Sequence, residues 1–231
     1  MIQNSYENAL LGELVTDDFR IAEVFTHAGI DFCCGGKKTL EQACREKNID
    51  LKSIEEEIRA IEQAPALSNV NFKDWEPGFL SDYIINTHHK YVLKTLPDLV
   101  YYIKKIASVH GKDHPELIEV EKLFEEISKE LQQHLQKEEE VLFPAIRLAV
   151  QNSTHELKST ISSEITRMSS EHEFAGGAMD KINELTAGYT VPQDGCNSYQ
   201  VAFKMLKQFE NDLHIHVHLE NNILYPKALR L

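Results

Sequence analysis

Two short segments carry the residues best suited to chemistry. Residues 134–144 run His-Leu-Gln-Lys-Glu-Glu-Glu-Val-Leu-Phe-Pro, and residues 216–226 run His-Val-His-Leu-Glu-Asn-Asn-Ile-Leu-Tyr-Pro. Each sets a His four residues before a Glu, then a β-branched residue, Leu, an aromatic and Pro at matched offsets. On a helix, positions i and i+4 share one face. Here that face is the apolar one: Ile127, Leu131, His134, Leu135, Glu138 and Leu142 fall on one stripe, and Leu213, His216, Val217, Glu220 and Leu224 on another. A buried carboxylate costs several kcal/mol, roughly, unless it is paired or coordinates a metal. No Lys or Arg shares either stripe, so a metal is the better partner.

Two further stripes contribute one His each. His89 lies on Ile85, His89, Val92, Leu96, Leu99 and Ile103, whereas His88 does not. His172 lies on Ile161, Ile165, Met168, His172, Ala175, Met179 and Ile182. In antiparallel hairpins two residues are level when they are equally far from the turn. The midpoints of 89 and 134, 134 and 172, and 172 and 216 fall at Gly111, Ser153 and Asp194, each in a predicted turn. At ~1.5 Å rise per residue the four histidines should lie within roughly one turn of each other. Four imidazoles and two carboxylates suit a two-metal site with two His per metal and both Glu bridging; the ligand types fit iron, zinc or manganese.

The elements that must position these groups are four long helices. Helical patterns run from about 79 to 109, 115 to 150, 154 to 187 and 196 to 226. The breaks between them are short, which makes neighbours antiparallel and predicts a four-helix bundle. The first ~65 residues form a small helical unit. Thr16-Asp17 is expected to cap a helix that stops at Gly29, and Thr39-x-x-Gln42 and Ser53-x-x-Glu56 look like capping boxes. Ala64 to Gly78 is the expected linker, dividing the chain into residues 1–70 and 71–231. With only 10 Gly and 7 Pro in 231 residues, an all-α fold is favoured over a turn-rich β fold.

Charge and apolar content exclude other classes. A net charge of −13 argues against nucleic acid or an anionic membrane as partner. No apolar run reaches the ~20 residues of a membrane span. Residues 1–14 carry Glu7 and Glu13 without a basic segment, so no signal peptide is expected. The four cysteines include the adjacent pair Cys33-Cys34, a poor start for a disulfide framework, which points to a reducing, cytoplasmic setting. Cys33 and Cys34, beside Gly35-Gly36, are expected on a flexible, accessible loop where they could accept iron or a nitrosyl group or undergo oxidation. Cys44 is assigned to helix packing and Cys196 to an inert loop position. His88, His214 and His218 fall off the stripes and are expected to be solvated or to support the ligands. His110 and His114 fall in an exposed turn, His27 and His155 carry no signal, and Glu139 and Glu140 belong to a solvated face.

Two stretches together are familiar. Gly29-Ile30-Asp31-Phe32-Cys33-Cys34-Gly35-Gly36-Lys37 resembles the cysteine-bearing N-terminal domain of the repair-of-iron-centres family. The segments 137–144 and 219–226 resemble that family's two His-x3-Glu helices. The resemblance covers essentially the whole chain. It implies a haemerythrin-like bundle holding two non-haem, oxo-bridged irons, with His89, His134, Glu138, His172, His216 and Glu220 as ligands. The implied function is repair of iron–sulfur clusters damaged by oxidative or nitrosative stress, through iron donation to the damaged iron–sulfur proteins. A nitric oxide or peroxide reductase and an oxygen or nitric oxide sensor are the alternatives; no flavin or nicotinamide motif is present to support turnover. A monomer or a homodimer is compatible with the acidic surface. Oxygen-carrying haemerythrins have five histidines, with His-x3-His on the third helix. Here Gly176 stands four residues after His172, which favours open positions and iron release over oxygen carriage.

Overall fold

The computed structural model describes residues 5–64 and 70–231, and among these residues every regular element is helical. The described residues form two compact units, one from those up to 80 together with 214–231, the other from 81–213.

In the first unit four short helices enclose a small core: α1 (Leu11–Asp17), α2 (Ile21–His27), α3 (Leu40–Lys47) and α4 (Leu51–Gln63). Leu11, Val15, Phe25, Leu40, Ile54 and Ile58 are buried together in it. The Thr39–Gln42 capping box is present, and Gly29 stops α2 at φ +63°. Two local expectations are corrected. Thr16 does not open a helix: its hydroxyl donates to Gly12 O inside α1, and Asp18 turns the chain by pairing with Arg20. Asp50, not Ser53, caps α4, accepting from Lys52 N–H. In the expected linker, residues 65–69 lie outside the described ones, and Phe72–Asp74 form a 3-10 turn. The helix predicted from 79 already begins at Pro77, as α5 (Pro77–Ile84), in keeping with proline's suitability for a first helical turn.

The second unit is a four-helix bundle. Its long members are α6 (Lys90–His110), α7 (Glu116–Lys137) continued by α8 (Phe143–Gln151), α9 (His155–Leu185) and α10 (Asn197–His218), whose residues up to 213 belong to this unit. Helix α7 packs on both α6 and α9. Phe124 of α7 meets Phe209 of α10 edge-on at 5.6 Å, and Asn183 of α9 donates to the buried Glu210 of α10. Thr154 caps α9 by accepting from Leu157 N–H. The apolar stripes read from the sequence are the buried faces: Leu96, Leu99, Ile103, Ile127, Leu131, Ile161 and Met168 are at most 3% exposed.

The helices contain three widened turns that the hydrophobic pattern does not announce. Ile85–His89, Glu138–Leu142 and Leu219–Leu224 are π-helical. In each, a backbone N–H donates to the carbonyl five residues back: Lys90 to Ile85, Phe143 to Glu138, Tyr225 to Glu220. Pro144 and Pro226 stand at the second position of the helix that follows the latter two, α8 and α11 (Tyr225–Ala228). A helical proline lacks the N–H for the carbonyl four residues back and crowds it; widening the turn relieves both. Such π-turns are frequent at functional sites. These three hold His89, Glu138 and Glu220.

Candidate metal centre

In the second unit four of the expected ligands come together, all buried: His89, His134, Glu138 and His172. The ligand atoms of His134, Glu138 and His172 lie within 4.8 Å of one another. His134 Nε2 is 3.0 Å from His172 Nε2 and 3.3 Å from Glu138 Oε2. His89 Nε2 is also 3.3 Å from Glu138 Oε2. The Glu138 carboxylate thus faces two imidazoles at once. The His89 ring stacks on Phe143 at 5.6 Å, which holds its orientation.

The remaining ring nitrogens fix the tautomers. His134 Nδ1–H donates to Glu171 Oε2 at 2.9 Å, and His89 Nδ1–H donates to Glu139 Oε1 at 2.8 Å. Glu171 also accepts from Lys137 Nζ at 2.6 Å. The hydrogen bond from His134, with Lys137 assisting, holds the Glu171 carboxyl down to about 2 against its partial burial. With Nδ1 carrying the proton, each Nε2 presents a lone pair to Glu138 in a dry interior. Lone pair against carboxylate is repulsive without a cation between them. A His whose second nitrogen is held by a carboxylate is the usual arrangement of a metal ligand.

The spacings fit such an ion. Metal–nitrogen and metal–oxygen bonds of roughly 2.0–2.2 Å place neighbouring ligand atoms roughly 3 Å apart, as the 3.0 and 3.3 Å separations do. In the first unit the remaining two of the six expected ligands have the same local form. His216 Nε2 is 2.9 Å from Glu220 Oε1, both fully buried. The donor chemistry of these residues suits a metal ion of the iron or zinc type.

Three neighbouring residues, Glu139, His88 and His218, complete the surroundings. Glu139, expected on a solvated face, keeps its side chain 38% exposed and also holds His89. His88 is only 3% exposed, and its Nδ1 pairs with Asp212 at 3.0 Å; the π-turn over residues 85–89 swings two consecutive histidines inward. His218 is fully buried against Phe19 and Phe32, and burial pushes its imidazole down to about 4, so the ring is neutral at pH 7. Stripe reading missed Glu171 and Glu139 as well. The available signal was a carboxylate next to each core ligand, Glu171 before His172 and Glu139 after Glu138.

Cys33 and Cys34 are not on a free loop. Cys33 is buried and Cys34 is half-buried. The Asp31 carboxylate accepts from the N–H groups of Cys33, Cys34 and Gly35 at 2.8–3.0 Å, and lies 3.0 Å from Cys33 Sγ. Asn222 Nδ2 donates to the carbonyls of Phe32 and Cys33 at 3.3 and 3.0 Å. Gly36 is required there, since a Cβ would overlap the Asn222 amide and Phe32 O. The hydrogen bond with Cys34, burial and the Asp31 charge push the Cys33 thiol well up, so it keeps its proton. Asp31, Cys33 and Cys34 nevertheless offer three ligand atoms within 4.8 Å. Cys44 is buried in the first unit's core, as expected. Cys196 is exposed but not inert: the His110 ring nitrogen 3.2 Å from its sulfur draws the thiol down to about 7.

Comparison with known proteins decides what these helices belong to. Residues 81–228 match the haemerythrin HHE cation-binding domain, and residues 7–62 match ScdA_N, a domain of unknown function (DUF542). The iron–sulfur cluster repair protein YtfE of Yersinia pestis is 34% identical over 230 residues, covering 97% of this chain and 98% of that one. The iron–sulfur cluster repair protein ScdA of Staphylococcus epidermidis is 32% identical over 220 residues, covering 95% and 97%. The chain belongs to the haemerythrin-like family of iron–sulfur cluster repair proteins. Among the described residues it is all-α, a haemerythrin-like bundle preceded by a small helical region. The cation-binding domain spans all six expected donors, and the buried His and Glu groups within it can hold a metal. Among the described residues of this family member, no helix is long and apolar enough to cross a membrane.

Proposed function

We propose that this chain binds two non-haem irons, oxo-bridged, and donates iron to rebuild iron–sulfur clusters damaged by oxidative or nitrosative stress. The observation that carries this is the buried His89–Glu138–His134–His172 arrangement, whose second imidazole nitrogens are held by Glu139 and Glu171. It occurs in a chain whose relatives bear the name of cluster repair proteins. In this reading His134 and His172, 3.0 Å apart, share one iron. His89 and His216 would hold the other, with Glu138 and Glu220 supplying the carboxylates. Bound there, iron is the cargo that a depleted cluster needs.

The chain's own residues set the terms of that binding. Glu139 and Glu171 keep a proton on each Nδ1, which leaves Nε2 available and makes the imidazoles better donors. Gly176 supplies no ligand one turn after His172, so the donor set is smaller than the five-His set of oxygen carriers. We assign residues 1–70 as a thiol-bearing domain and 71–231 as the iron-binding domain. Cys33 and Cys34 would receive iron in transit, with Cys33 losing its proton only when a cation arrives. Small ligands such as nitric oxide or oxygen would reach the iron, and the clients would be cytoplasmic iron–sulfur proteins. Four cysteines without a disulfide agree with that compartment.

The test is anaerobic. Protein loaded with iron is mixed with an apo iron–sulfur enzyme, sulfide and reductant, and iron is counted on both after separation. Loss of iron from this chain matched by recovery of cluster and activity supports donation. Retention of all iron, or binding of zinc alone, would overturn it. A Cys33→Ser, Cys34→Ser variant that transfers iron at the parent rate would remove the thiols from the path and leave the donation itself standing.

A further inference from the structure

The first unit contains a cleft with a cavity of about 540 Å³. Lys37, Lys73, Lys227 and Arg230 line it, against two carboxylates, Glu13 and Asp17. Asp74 and Glu76 also act on Lys227, and Asp74 and Glu13 on Lys73, so the uncompensated positive charge of the cleft rests on Lys37 and Arg230. Lys73 is held by Asp17 at 2.7 Å, which neutralises one carboxylate. Lys227 donates from Nζ to Trp75 O at 2.5 Å, so its ammonium is fixed in position and partly removed from water. Lys37 and Arg230 are exposed, and among the described residues neither is in an ion pair. Lys73 and Lys227 are therefore held by protein partners, whereas Lys37 and Arg230 are uncommitted.

We propose that this cleft binds a small anion carrying two or more separated carboxylates. A volume of roughly 300–1,000 Å³ is ordinary for a small-molecule site. The four cations come from different parts of the fold: the segment after Cys33-Cys34-Gly35-Gly36, the 3-10 turn at 72–74, α11, and the chain just beyond it. Charges spread in this way meet several carboxylates better than one compact phosphate, which would concentrate its charge within reach of Glu13 or Asp17. The Arg230 guanidinium matches a carboxylate edge bidentately, and the lysines serve as point charges. Asn221, Asn222 and Ile223 form another part of the lining. They belong to the π-turn Leu219–Leu224, so a bound oligocarboxylate would touch the segment that carries Glu220. The inference rests on the cleft alone and stands apart from the iron assignment.

The experiment is calorimetric titration of the full-length, iron-loaded protein with citrate, with acetate and pyrophosphate in parallel, at low and moderate salt. Saturable citrate binding, tighter than acetate and weakened by salt, is expected. A Lys37→Ala, Arg230→Ala variant, altered only at exposed positions, should bind citrate roughly tenfold more weakly or worse. Lys38→Ala, beside the cleft but paired with Glu46 at 2.6 Å, should bind as the parent does. Absence of saturable binding, equal binding by the double variant, or tighter binding of pyrophosphate than of citrate would each overturn the oligocarboxylate assignment. Citrate and pyrophosphate also chelate iron, so iron on the protein is counted after each titration, and heat accompanied by loss of iron is not scored as binding in the cleft.

Discussion

Glu171 Oε2 lies 2.9 Å from His134 Nδ1, and the same carboxylate takes Lys137 Nζ at 2.6 Å on its other oxygen. Neither Glu171 nor Lys137 belongs to the proposed ligand set, yet together they decide which nitrogen of His134 is a donor to a metal. Glu171→Gln keeps the shape and a hydrogen-bond acceptor but removes the charge. Carboxylates placed in this way are worth about 10- to 100-fold in metal affinity. Competition with a chromogenic chelator should show iron held more weakly by that factor, with unchanged helical circular dichroism. Parent-like retention would mean that Glu171 only braces α7 against α9.

The π-turns make a second prediction, this one about the prolines. At Pro144 the helix widens so that Phe143 N–H reaches Glu138 O, which sets the direction of the Glu138 side chain. Proline inside a helix costs about 3 kcal/mol relative to a good helix former. Pro144→Ala permits the turn to close into a regular α-helix, which rotates Glu138 out of register with His89. The thermal midpoint without iron should stay level or rise, while iron bound per chain falls by half or more. A variant with full iron content would show that packing, not proline, imposes the widened turn.

Much of this site was legible in the residues, and the illegible part has a single physical origin. His134 and Glu138 could be placed together because i and i+4 share a face whatever lies around them. His172 could be brought level with His134 because a helical rise of fixed length was counted from a turn at Ser153. His88 was placed off the stripe, as solvated or supporting the ligands, because counting at 3.6 residues per turn continued unbroken through residues 85–89, where the helix is wider. The hold of Glu139 on His89 was missed for the same reason, one residue beyond a π-turn's start. Pro144 and Pro226, at matching distances after Glu138 and Glu220, were visible as a repeat, but their effect on the turns before them is steric and non-periodic. The tethering of the Cys33-Cys34 loop was beyond sequence reading, because Asn222 is nearly 190 residues away in the chain.

That tether can be cut. Asn222→Ala removes the donor to the Phe32 and Cys33 carbonyls. Leaving partly buried carbonyls without a protein partner costs about 1–3 kcal/mol. The expected result is a lower thermal midpoint together with faster hydrogen exchange over residues 31–36. Cys33, buried in the parent, should become open to alkylation. Exchange and alkylation at parent rates would show that the Asp31 carboxylate, which takes three N–H groups of that loop, holds it unaided.

Cys196 gives a prediction whose sign follows from charge. Its sulfur is 3.2 Å from His110 Nε2, and that hydrogen bond draws the thiol from an ordinary value of 9.0 to about 7. Only the thiolate is nucleophilic, so alkylation speeds up as pH rises through the thiol's pKa. Cys33 and Cys44 are both pushed upward, with burial contributing at each, and should stay silent over the same range. Iodoacetamide under native conditions should therefore modify Cys196 first, with a rate midpoint near pH 7. In His110→Ala the hydrogen bond is gone and the midpoint should move toward 9, slowing the reaction at pH 7 by roughly tenfold or more. The thiol is exposed in parent and variant alike, so access cannot account for the difference. A midpoint that ignores the substitution would assign the lowered value to the backbone N–H groups of Ser198 and Tyr199 instead.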